Sequence, residues 1–347
     1  MSLVCPMKLC LGDTVATVSL SWGGAGDPSL LWRYELGKRR LTEIWGLHVI
    51  EMNHTLEGTD YLRNHPEKRA ADLMQAFLDP SVKAVFSCIG GDDSILLLPF
   101  IDFDVISRNP KIFMGYSDST ITHLMCYKAG IRSYYGPSIL AEFAENNRIF
   151  DYTTDAIRKV LFSDQIIGKI DAADLWTGEF MEWSQENQYT NKVMQKNHGY
   201  DFLQGEGIAF GHLFGGCMDV LEMAKDTTLW PSPKELDQAI LFLETSEEMP
   251  DPSLFASWLS DYGKRGILGR LSGIIFGKPY QNHYAQAYRD EICKIAAIYC
   301  NPKMPIVFNA SFGHNEPMCV LPYGAQMEIN CEKMTLDIME SGVMGKY

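Results

Sequence analysis

A serine between a predicted buried strand and a predicted helix is the first candidate for chemistry in this sequence. Ser117 lies in Gly115-Tyr116-Ser117-Asp118-Ser119, directly after the apolar segment 111–115. On such a turn the hydroxyl is held at the carboxyl edge of a sheet, where the helix N-terminus offers N–H groups to an oxyanion. The G-x-S-x-G nucleophile elbow has this geometry, although its second glycine is missing here. The alternative is that Ser117 or Asp118 only caps the helix.

Two further side chains could complete a site for acyl transfer. His314 lies in the loop segment 311–317 after a predicted strand, and histidine is the usual general base. Glu244 ends the apolar strand 239–243, where a carboxylate could orient an imidazole and stabilise its charge. Taken singly, each residue also fits a plainer role. His314 could be a surface histidine, and Glu244 a solvated acid in the acidic cluster 244–248.

The pair Gly90-Gly91 stands between a predicted strand and a predicted helix. Two glycines let backbone N–H groups approach a ligand, as an oxyanion hole or a phosphate cradle requires, but they also fit an ordinary turn. The sequence has no G-x-G-x-x-G, no glycine loop ending in GK[ST] and no HExxH motif. We therefore predict no metal and no organic cofactor.

Alternating strand-like and helix-like segments make up the first half of the chain. Strands are predicted at 14–20, 84–89 and 111–115, and helices at 66–78, from near 94, and from 117 to about 129. Pro66 suits the first position of its helix, and Asp79-Pro80 ends it. Strands separated by helices predict a parallel sheet with helices on both faces.

The second half of the chain has a different pattern of polar and apolar residues. Residues 171–200 are polar and rich in Trp, Asn and Gln, which indicates a linker with long functional loops. After them, strands are predicted at 207–213, 239–244, 273–277, 305–309 and 326–330, with helices at 251–262 and 285–297. We therefore expect an α/β domain over 1–165, a linker and substrate loop over 166–205, and a mixed domain over 206–347.

Composition excludes several classes of function. The 347 residues carry 30 basic and 44 acidic side chains, a formal charge of −14, which argues against nucleic acid as a partner. No window approaches about 18 consecutive apolar residues, so no membrane partner is predicted. The nine cysteines include no CxxC pair, and the N-terminus lacks the features of a secretory signal, so we expect reduced thiols and a cytoplasmic location.

Taken together, these segments resemble the LD-carboxypeptidase family of serine peptidases, in which the order is Ser, Glu, His. The resemblance is carried by the segments 89–92, 115–120, 211–216, 243–244, 313–317 and 321–324. Within the family the chain resembles the microcin C immunity branch most, in the segments 21–23, 69–77, 90–94, 244–247 and 175–183. Cys217 departs from the pattern, because many relatives carry Asn at that position.

The resemblance implies a fold and a set of catalytic residues. The fold is α/β, with an N-terminal doubly wound, flavodoxin-like parallel-sheet domain and a C-terminal mixed α/β domain with a small β-barrel-like sheet. Ser117 would be the nucleophile, His314 the base and Glu244 the residue that orients it. The backbone N–H groups of Gly91 and Asp118 would receive the oxyanion. The family pattern also implies a homodimer with the site at the domain interface.

For the branch, the resemblance implies a small-molecule substrate, an aminoacyl-sulfamoyl or aminoacyl-phosphoramidate adenosine cleaved at its amide bond. The residues expected to contact it are Gly90, Trp176, Trp183, Thr245 and Ser246. Trp176 or Trp183 would stack on the base, although either could instead pin the loop to the second domain. Two alternatives stay open: a carboxypeptidase that trims murein tetrapeptides, and a non-catalytic nucleotide- or peptide-binding module.

Overall fold

The computed structural model describes residues 3–345 of the chain. This part contains sixteen strands, which are β1 Thr14–Val18, β2 His48–Glu51, β3 Val82–Ser87, β4 Ile112–Gly115, β5 Tyr134–Tyr135, β6 Gly168–Lys169, β7 Leu175–Trp176, β8 Gln195–Lys196, β9 Asp201–Gln204, β10 Ile208–Cys217, β11 Ala239–Glu244, β12 Gly273–Gly277, β13 Ile306–Ala310, β14 Leu321–Pro322, β15 Gln326–Asn330 and β16 Thr335–Ile338. Its nine α-helices are α1 Leu31–Trp45, α2 Thr59–Asn64, α3 Pro66–Leu78, α4 Phe103–Arg108, α5 Thr120–Lys128, α6 Asp151–Leu161, α7 Met218–Ala224, α8 Pro252–Lys264 and α9 Ala285–Tyr299. None of these helices combines the length and apolar composition needed to cross a membrane.

The first sheet has six strands in the order β14-β5-β4-β3-β1-β2. Strands β1 to β5 run parallel, in the spatial order 2-1-3-4-5 of flavodoxin-like folds. β14 arrives from near the end of the chain and pairs antiparallel with β5. Every residue of β4 and all but Lys83 of β3 are buried, as expected for parallel strands covered on both faces. The predicted doubly wound first sheet is confirmed.

The second sheet has eight strands in the order β6-β16-β15-β10-β11-β12-β13-β9. Strands β10 to β13 are parallel, and antiparallel strands extend the sheet on both sides. The sheet is therefore mixed, as predicted. Strands β6 and β9 lie inside the segment predicted as a linker, where two and four residues are too few to show a periodic pattern. The division into domains stays a prediction.

Local sequence signals set several element boundaries correctly. Helix α3 has the predicted bounds, with Pro66 in its first turn, and α8 begins after Asp251, whose side chain accepts hydrogen bonds from the N–H groups of Ser253 and Leu254. The helix expected from near Ser94 is instead a 3₁₀-helix over Ser94–Phe100. It contains Pro99, which has no N–H to continue an α-helical ladder.

The two sheets meet around the ends of β4, β5 and β11. The hydroxyl of Tyr135, at the end of β5, donates to Glu244 Oε1 at 2.5 Å, and Glu244 is the last residue of β11. Near this contact the hydroxyl of Tyr323 donates to the carbonyl of Gly215 at 2.6 Å. Both bonds are buried, and the one between Tyr135 and Glu244 joins the carboxyl ends of β5 and β11, the edge at which ligands bind in open α/β folds.

Candidate active site

Ser117 lies on a strained turn between β4 and α5. A short 3₁₀-helix over Ser117–Ser119 leads into α5, and Ser117 has a φ of 59°. Left-handed backbone is unfavourable for a residue with a Cβ, and such strain is typical of functional turns. The Ser117 side chain caps neither helix. The Asp118 carboxylate accepts hydrogen bonds from Asp93 and Ser94 instead, so it holds the neighbouring loop.

His314 brings the second half of the chain to this turn. Its Nε2 lies 3.0 Å from Ser117 Oγ, and its Nδ1 lies 2.7 Å from Glu244 Oε2. Gly313, with a φ of 93°, makes this approach possible, because a Cβ there would lie 2.6 Å from Glu244 Oε2. Glu244 is 2 % exposed. Nucleophile, imidazole and carboxylate therefore form one hydrogen-bonded chain with the geometry of a serine-hydrolase triad.

Tyr135 closes this chain into a ring. Its hydroxyl donates to Glu244 Oε1, and the backbone N–H of Ser117 donates to the same hydroxyl at 3.2 Å. Burial raises the pKa of Tyr135 well above its ordinary value, and the Glu244 carboxylate raises it further, so the phenol keeps its proton and can donate it. The ring runs from the nucleophile's hydroxyl through His314, Glu244 and Tyr135 back to the nucleophile's own amide.

The charge state of His314 depends on two carboxylates. Burial by itself would lower the pKa of His314, but Glu244 and Glu247 outweigh that effect and raise this pKa well above its ordinary range. Glu247 Oε2 lies 3.0 Å from Nε2, the atom that also faces Ser117. The hydrogen bond to His314 lowers the pKa of Glu247 to about 2. The imidazole is thus held between two anions and next to the nucleophile.

The glycine pair lies against the nucleophile. A Cβ on Gly90 would lie 2.8 Å from Ser117 Cβ and 3.0 Å from its Oγ, so only glycine fits there without a shift of the turn. Gly91 has a φ of 147°, which other residues rarely adopt. Within residues 3–345, the N–H of Gly91 makes no hydrogen bond. It is therefore free to donate to a ligand.

Ser117 and His314 open into a cavity of about 590 Å³, within the usual size range of small-molecule sites. Trp183 and Trp22 form an aromatic part of its wall, with their rings stacked at 6.3 Å. The guanidinium of Arg33 lies 4.5 Å from the Trp183 ring. The cavity thus combines a nucleophile with flat aromatic surface.

A buried ion cluster fixes the loop that carries Trp183. Lys192 bonds to Glu145 Oε2 at 2.7 Å and also to Glu316, two residues after His314. The backbones of Thr177 and Glu316 pair in both directions, at 2.7 and 2.9 Å. Lys192 therefore links the loop 177–192 both to Glu145 and to the loop 311–317, which carries His314.

The predicted substrate residues divide into two groups. Gly90 and Trp183 line the cavity, as does the predicted oxyanion donor Gly91, whereas Trp176, Thr245 and Ser246 do not. Trp176 is buried, with Lys278 Nζ 4.4 Å from its ring, which is the pinning role considered as the alternative. Thr245 and Ser246 are buried too, and the N–H of Ser246 donates to Asp219 Oδ2 at 3.2 Å. These three residues therefore lie outside the wall of this cavity.

Cys217 also lies outside the cavity wall. Its Sγ is 3.5 Å from Asp219 Oδ2, and burial raises the pKa of the thiol well above its ordinary value. The ligand atoms of Cys217, Glu244 and His314 lie within 4.8 Å of one another. Cys217 faces Glu244 in the register of β10 and β11, and His314 is hydrogen-bonded to Glu244, which accounts for their proximity.

Sequence reasoning missed several residues of the site. Glu247 was considered only within the acidic cluster 244–248 and the resemblance segment 244–247, and Tyr135 lies in the two-residue strand β5, which no sequence pattern predicted. Trp22 entered only through the resemblance of Ser21-Trp22-Gly23. Arg33 and Lys192 lie in segments with no motif. A local pattern could have identified none of their contacts, because each partner is distant in sequence.

The similarities to known proteins extend over most of the chain. Residues 15–136 match the LD-carboxypeptidase N-terminal domain, and residues 210–329 match the LD-carboxypeptidase C-terminal domain. The microcin C7 self-immunity protein MccF of Escherichia coli is 29% identical over 288 residues, 81% of each chain. A structure of that protein in complex with aspartyl sulfamoyl adenosine superposes with a TM-score of 0.86 at 24% identity, covering 98% of this chain and 100% of the other.

Two further relatives are informative. The crystal structure of an MccF-like protein from Streptococcus pneumoniae in complex with AMP has a TM-score of 0.88 and 31% identity, covering 95% of this chain and 99% of that one. A probable murein peptide carboxypeptidase of Bacillus subtilis is 25% identical over 351 residues, 97% of this chain and 95% of the relative. The chain thus shares its fold with the two relatives of known structure and is similar to the Bacillus relative over nearly its whole length.

Proposed function

This chain belongs to the LD-carboxypeptidase family and is a serine peptidase hydrolase, and we propose that its reaction runs through a triad of Ser117, His314 and Glu244. The observation that carries the proposal is the continuous hydrogen-bonded chain from Ser117 Oγ to the Glu244 carboxylate, at 3.0 and 2.7 Å. A serine hydroxyl is a weak nucleophile at neutral pH and needs such an adjacent base.

In the proposed reaction His314 accepts the proton of Ser117 through Nε2 while Oγ attacks the carbonyl carbon. The two carboxylates favour the imidazolium of the resting site, so the reaction proceeds from the fraction of molecules in which the imidazole is neutral. Glu244 accepts the Nδ1–H of the ring, which fixes the orientation of the imidazole and stabilises the imidazolium that forms. His314 then gives its proton to the leaving nitrogen, and water hydrolyses the acyl-enzyme by the same steps. The buried position of Glu244 supports this role, because its charge acts at short range and with little solvent screening.

The oxyanion would be received by the backbone N–H groups of Gly91 and Asp118. The free N–H of Gly91 and the contact of Gly90 with Ser117 support this assignment. Donors of this kind act where negative charge develops in the transition state, and losing one costs roughly 10²–10³ in turnover.

We propose that the substrate is an aminoacyl-sulfamoyl or aminoacyl-phosphoramidate adenosine, cleaved at the amide bond that joins the two halves. The aromatic wall of Trp183 and Trp22 supports a planar base as one part of the ligand. The pneumococcal relative was crystallised with AMP and the E. coli relative with aspartyl sulfamoyl adenosine. All nine cysteines are unpaired, which suits a cytoplasmic location, our further proposal.

A paired turnover assay tests the proposal. Wild type and Ser117→Ala are each incubated with glutamyl-sulfamoyl-adenosine and with a murein tetrapeptide, and products are quantified by chromatography. We expect wild type to cleave the nucleotide and Ser117→Ala to lose at least about 10³-fold in turnover, since only binding and the oxyanion donors remain. Cleavage of the tetrapeptide alone would favour the murein alternative, and full activity of the alanine variant would exclude the triad.

A further inference from the structure

A buried arginine lies behind residues 89–93, the segment that we call the glycine turn. Arg69, on α3, has a fully buried side chain, and its guanidinium bonds to both carboxylate oxygens of Asp93, at 2.5 and 3.2 Å. The same guanidinium donates to the carbonyls of Leu20 and Ser21, at 3.1 and 3.3 Å. Arg69 therefore joins the chain after β1 to the chain after β3, and the triad mechanism gives it no role.

The glycine turn is also joined to the turn that carries the nucleophile. The Asp118 carboxylate accepts hydrogen bonds from the N–H groups of Asp93 and Ser94, at 3.1 and 2.8 Å. The hydroxyl of Ser94 donates to the Asp118 carbonyl at 2.9 Å. The chain segments after β1, β3 and β4 are thus connected through Asp93, whose carboxylate is held by Arg69.

Gly91 needs this support, because its N–H is the group expected to meet the oxyanion. Its φ is 147°, and glycine is the residue with the most alternative backbone conformations, so its surroundings have to fix its orientation. A Cβ on Gly91 would lie 2.2 Å from Ser21 Oγ and 2.8 Å from the Trp22 nitrogen. The N–H of Trp22 donates to the carbonyl of Gly90 at 3.1 Å. The chain that Arg69 holds after β1 is therefore the surface against which Gly91 packs.

Stability is a poor explanation for the Arg69–Asp93 pair. Burying an ion pair costs desolvation free energy that the attraction between the charges often fails to offset, and apolar residues can replace such pairs without loss of stability. The Nε atom of Arg69 adds to this cost, because within residues 3–345 it is buried without a hydrogen-bond partner. A guanidinium presents its donors in fixed directions, which suits a group that holds several acceptors in one geometry.

We propose that Arg69 is a positioning residue of the oxyanion site, which fixes the glycine turn so that the N–H of Gly91 faces the oxygen of the reacting carbonyl. The inference rests on the proposed function and assigns part of it to a side chain that does not touch the substrate. Oxyanion donors act only when they are already in place, and a displacement of about 1 Å can cost roughly 10²-fold in rate. Arg69→Lys keeps the charge but loses the two-point bond to Asp93, so the turn is held less firmly.

The experiment measures the rate at which a fluorophosphonate probe labels Ser117. In this reaction Ser117 Oγ bonds to phosphorus, fluoride leaves, and the hydroxyl proton passes to His314. Negative charge builds on the phosphoryl oxygen, so the rate depends on the oxyanion donors as well as on the triad, whichever substrate the enzyme takes. The test variants are Arg69→Lys and the isosteric Asp93→Asn, which replaces one acceptor of the guanidinium by a donor.

Arg132→Lys is the matched control. Arg132 is also buried, bonds to Glu340 Oε1 at 2.5 Å and donates to the carbonyl of Ser341 at 2.9 Å. It does not line the cavity. The control therefore removes a comparable arginine–carboxylate pair away from the site, and thermal unfolding shows how much stability each variant loses.

We expect Arg69→Lys and Asp93→Asn to be labelled about 10- to 100-fold more slowly than wild type, part of the roughly 10²–10³ that one oxyanion donor contributes. Arg132→Lys should lose thermal stability but keep its labelling rate within about threefold of wild type, because its pair does not touch the glycine turn. On glutamyl-sulfamoyl-adenosine the two test variants should show the same loss in kcat, with KM within about threefold of wild type.

The labelling rates separate failure of this inference from failure of the proposed function. Wild-type rates in the folded test variants, or an equal loss in Arg132→Lys, would overturn the inference and leave the triad standing. If Arg69→Lys does not fold, Asp93→Asn decides by itself. If wild type is labelled but does not cleave the nucleotide, the proposed substrate is wrong and the rates still decide the inference. If wild type is not labelled at Ser117, the proposed triad is wrong and the inference fails with it.

Discussion

Replacing Tyr135 by Phe tests whether the ring of hydrogen bonds behind the triad contributes to catalysis. The substitution removes one oxygen, which donates to Glu244 Oε1 at 2.5 Å and accepts from the Ser117 N–H at 3.2 Å. Within residues 3–345, Oε1 has no second hydrogen-bond donor. A hydrogen bond to a charged group contributes about 1.5–3 kcal/mol, and a buried acceptor left without one is costly.

If the whole loss appears in the transition state, about 1.5–3 kcal/mol corresponds to a fall of roughly 10- to 150-fold in kcat. Part of the lost free energy will lower the stability of the folded protein instead, so we expect kcat to fall by about tenfold or more. KM should change little, because Tyr135 is not part of the cavity wall. Steady-state kinetics on the nucleotide substrate separate the two constants.

Tyr134→Phe is the matched control. Tyr134 is the neighbouring residue of β5, is equally buried, and donates to the carbonyl of Gly342 at 2.7 Å, outside the site. Both variants should lose a few degrees of thermal stability for one buried hydrogen bond, but only Tyr135→Phe should lose kcat. Wild-type kcat in Tyr135→Phe, or an equal loss in Tyr134→Phe, would refute the role given to the ring.

Two further predictions concern the aromatic wall and the interior. Trp183→Ala should raise KM for the nucleotide substrate by about 5- to 150-fold and leave kcat within a few fold, because stacking of a base on an aromatic ring contributes about 1–3 kcal/mol to binding. Steady-state kinetics measure both constants, and an unchanged KM would exclude stacking. Burial lowers the pKa of His123 to about 3, and its Nε2 donates to the Gly115 carbonyl at 2.9 Å. In the unfolded chain His123 binds a proton below pH about 6.5, whereas in the folded chain it does not, so the free energy of unfolding should fall by about 2 kcal/mol from pH 6.5 to 5. Urea unfolding at several pH values measures this fall, which should be smaller in His123→Gln. The same pH dependence in wild type and variant would contradict the prediction.

Much of the architecture could be predicted from local sequence signals. Pro66 and the Asp79-Pro80 pair bound α3, and Asp251 with Pro252 starts α8, because capping and proline geometry act over a few residues. Buried parallel strands show as short apolar runs, so β11 and β12 were predicted with their observed bounds. The short strands β6 and β9 were not, because pairing with distant partners stabilises them rather than any pattern of their own.

The catalytic groups of the site could also be predicted from the sequence. The signals were the strand-to-helix turn at Ser117, the carboxylate at the end of β11 and the order of the motifs along the chain. The sequence by itself determined which nucleophile, base and carboxylate the chain offers and which family it resembles. It could not decide that Trp183 rather than Trp176 reaches the cavity, nor that Glu247 touches the base. Ser117 and His314 are 197 positions apart in the sequence, and only the packing of the two sheets brings Oγ and Nε2 to 3.0 Å. Side-chain type and local periodicity are properties of a segment, whereas proximity is a property of the whole packed fold.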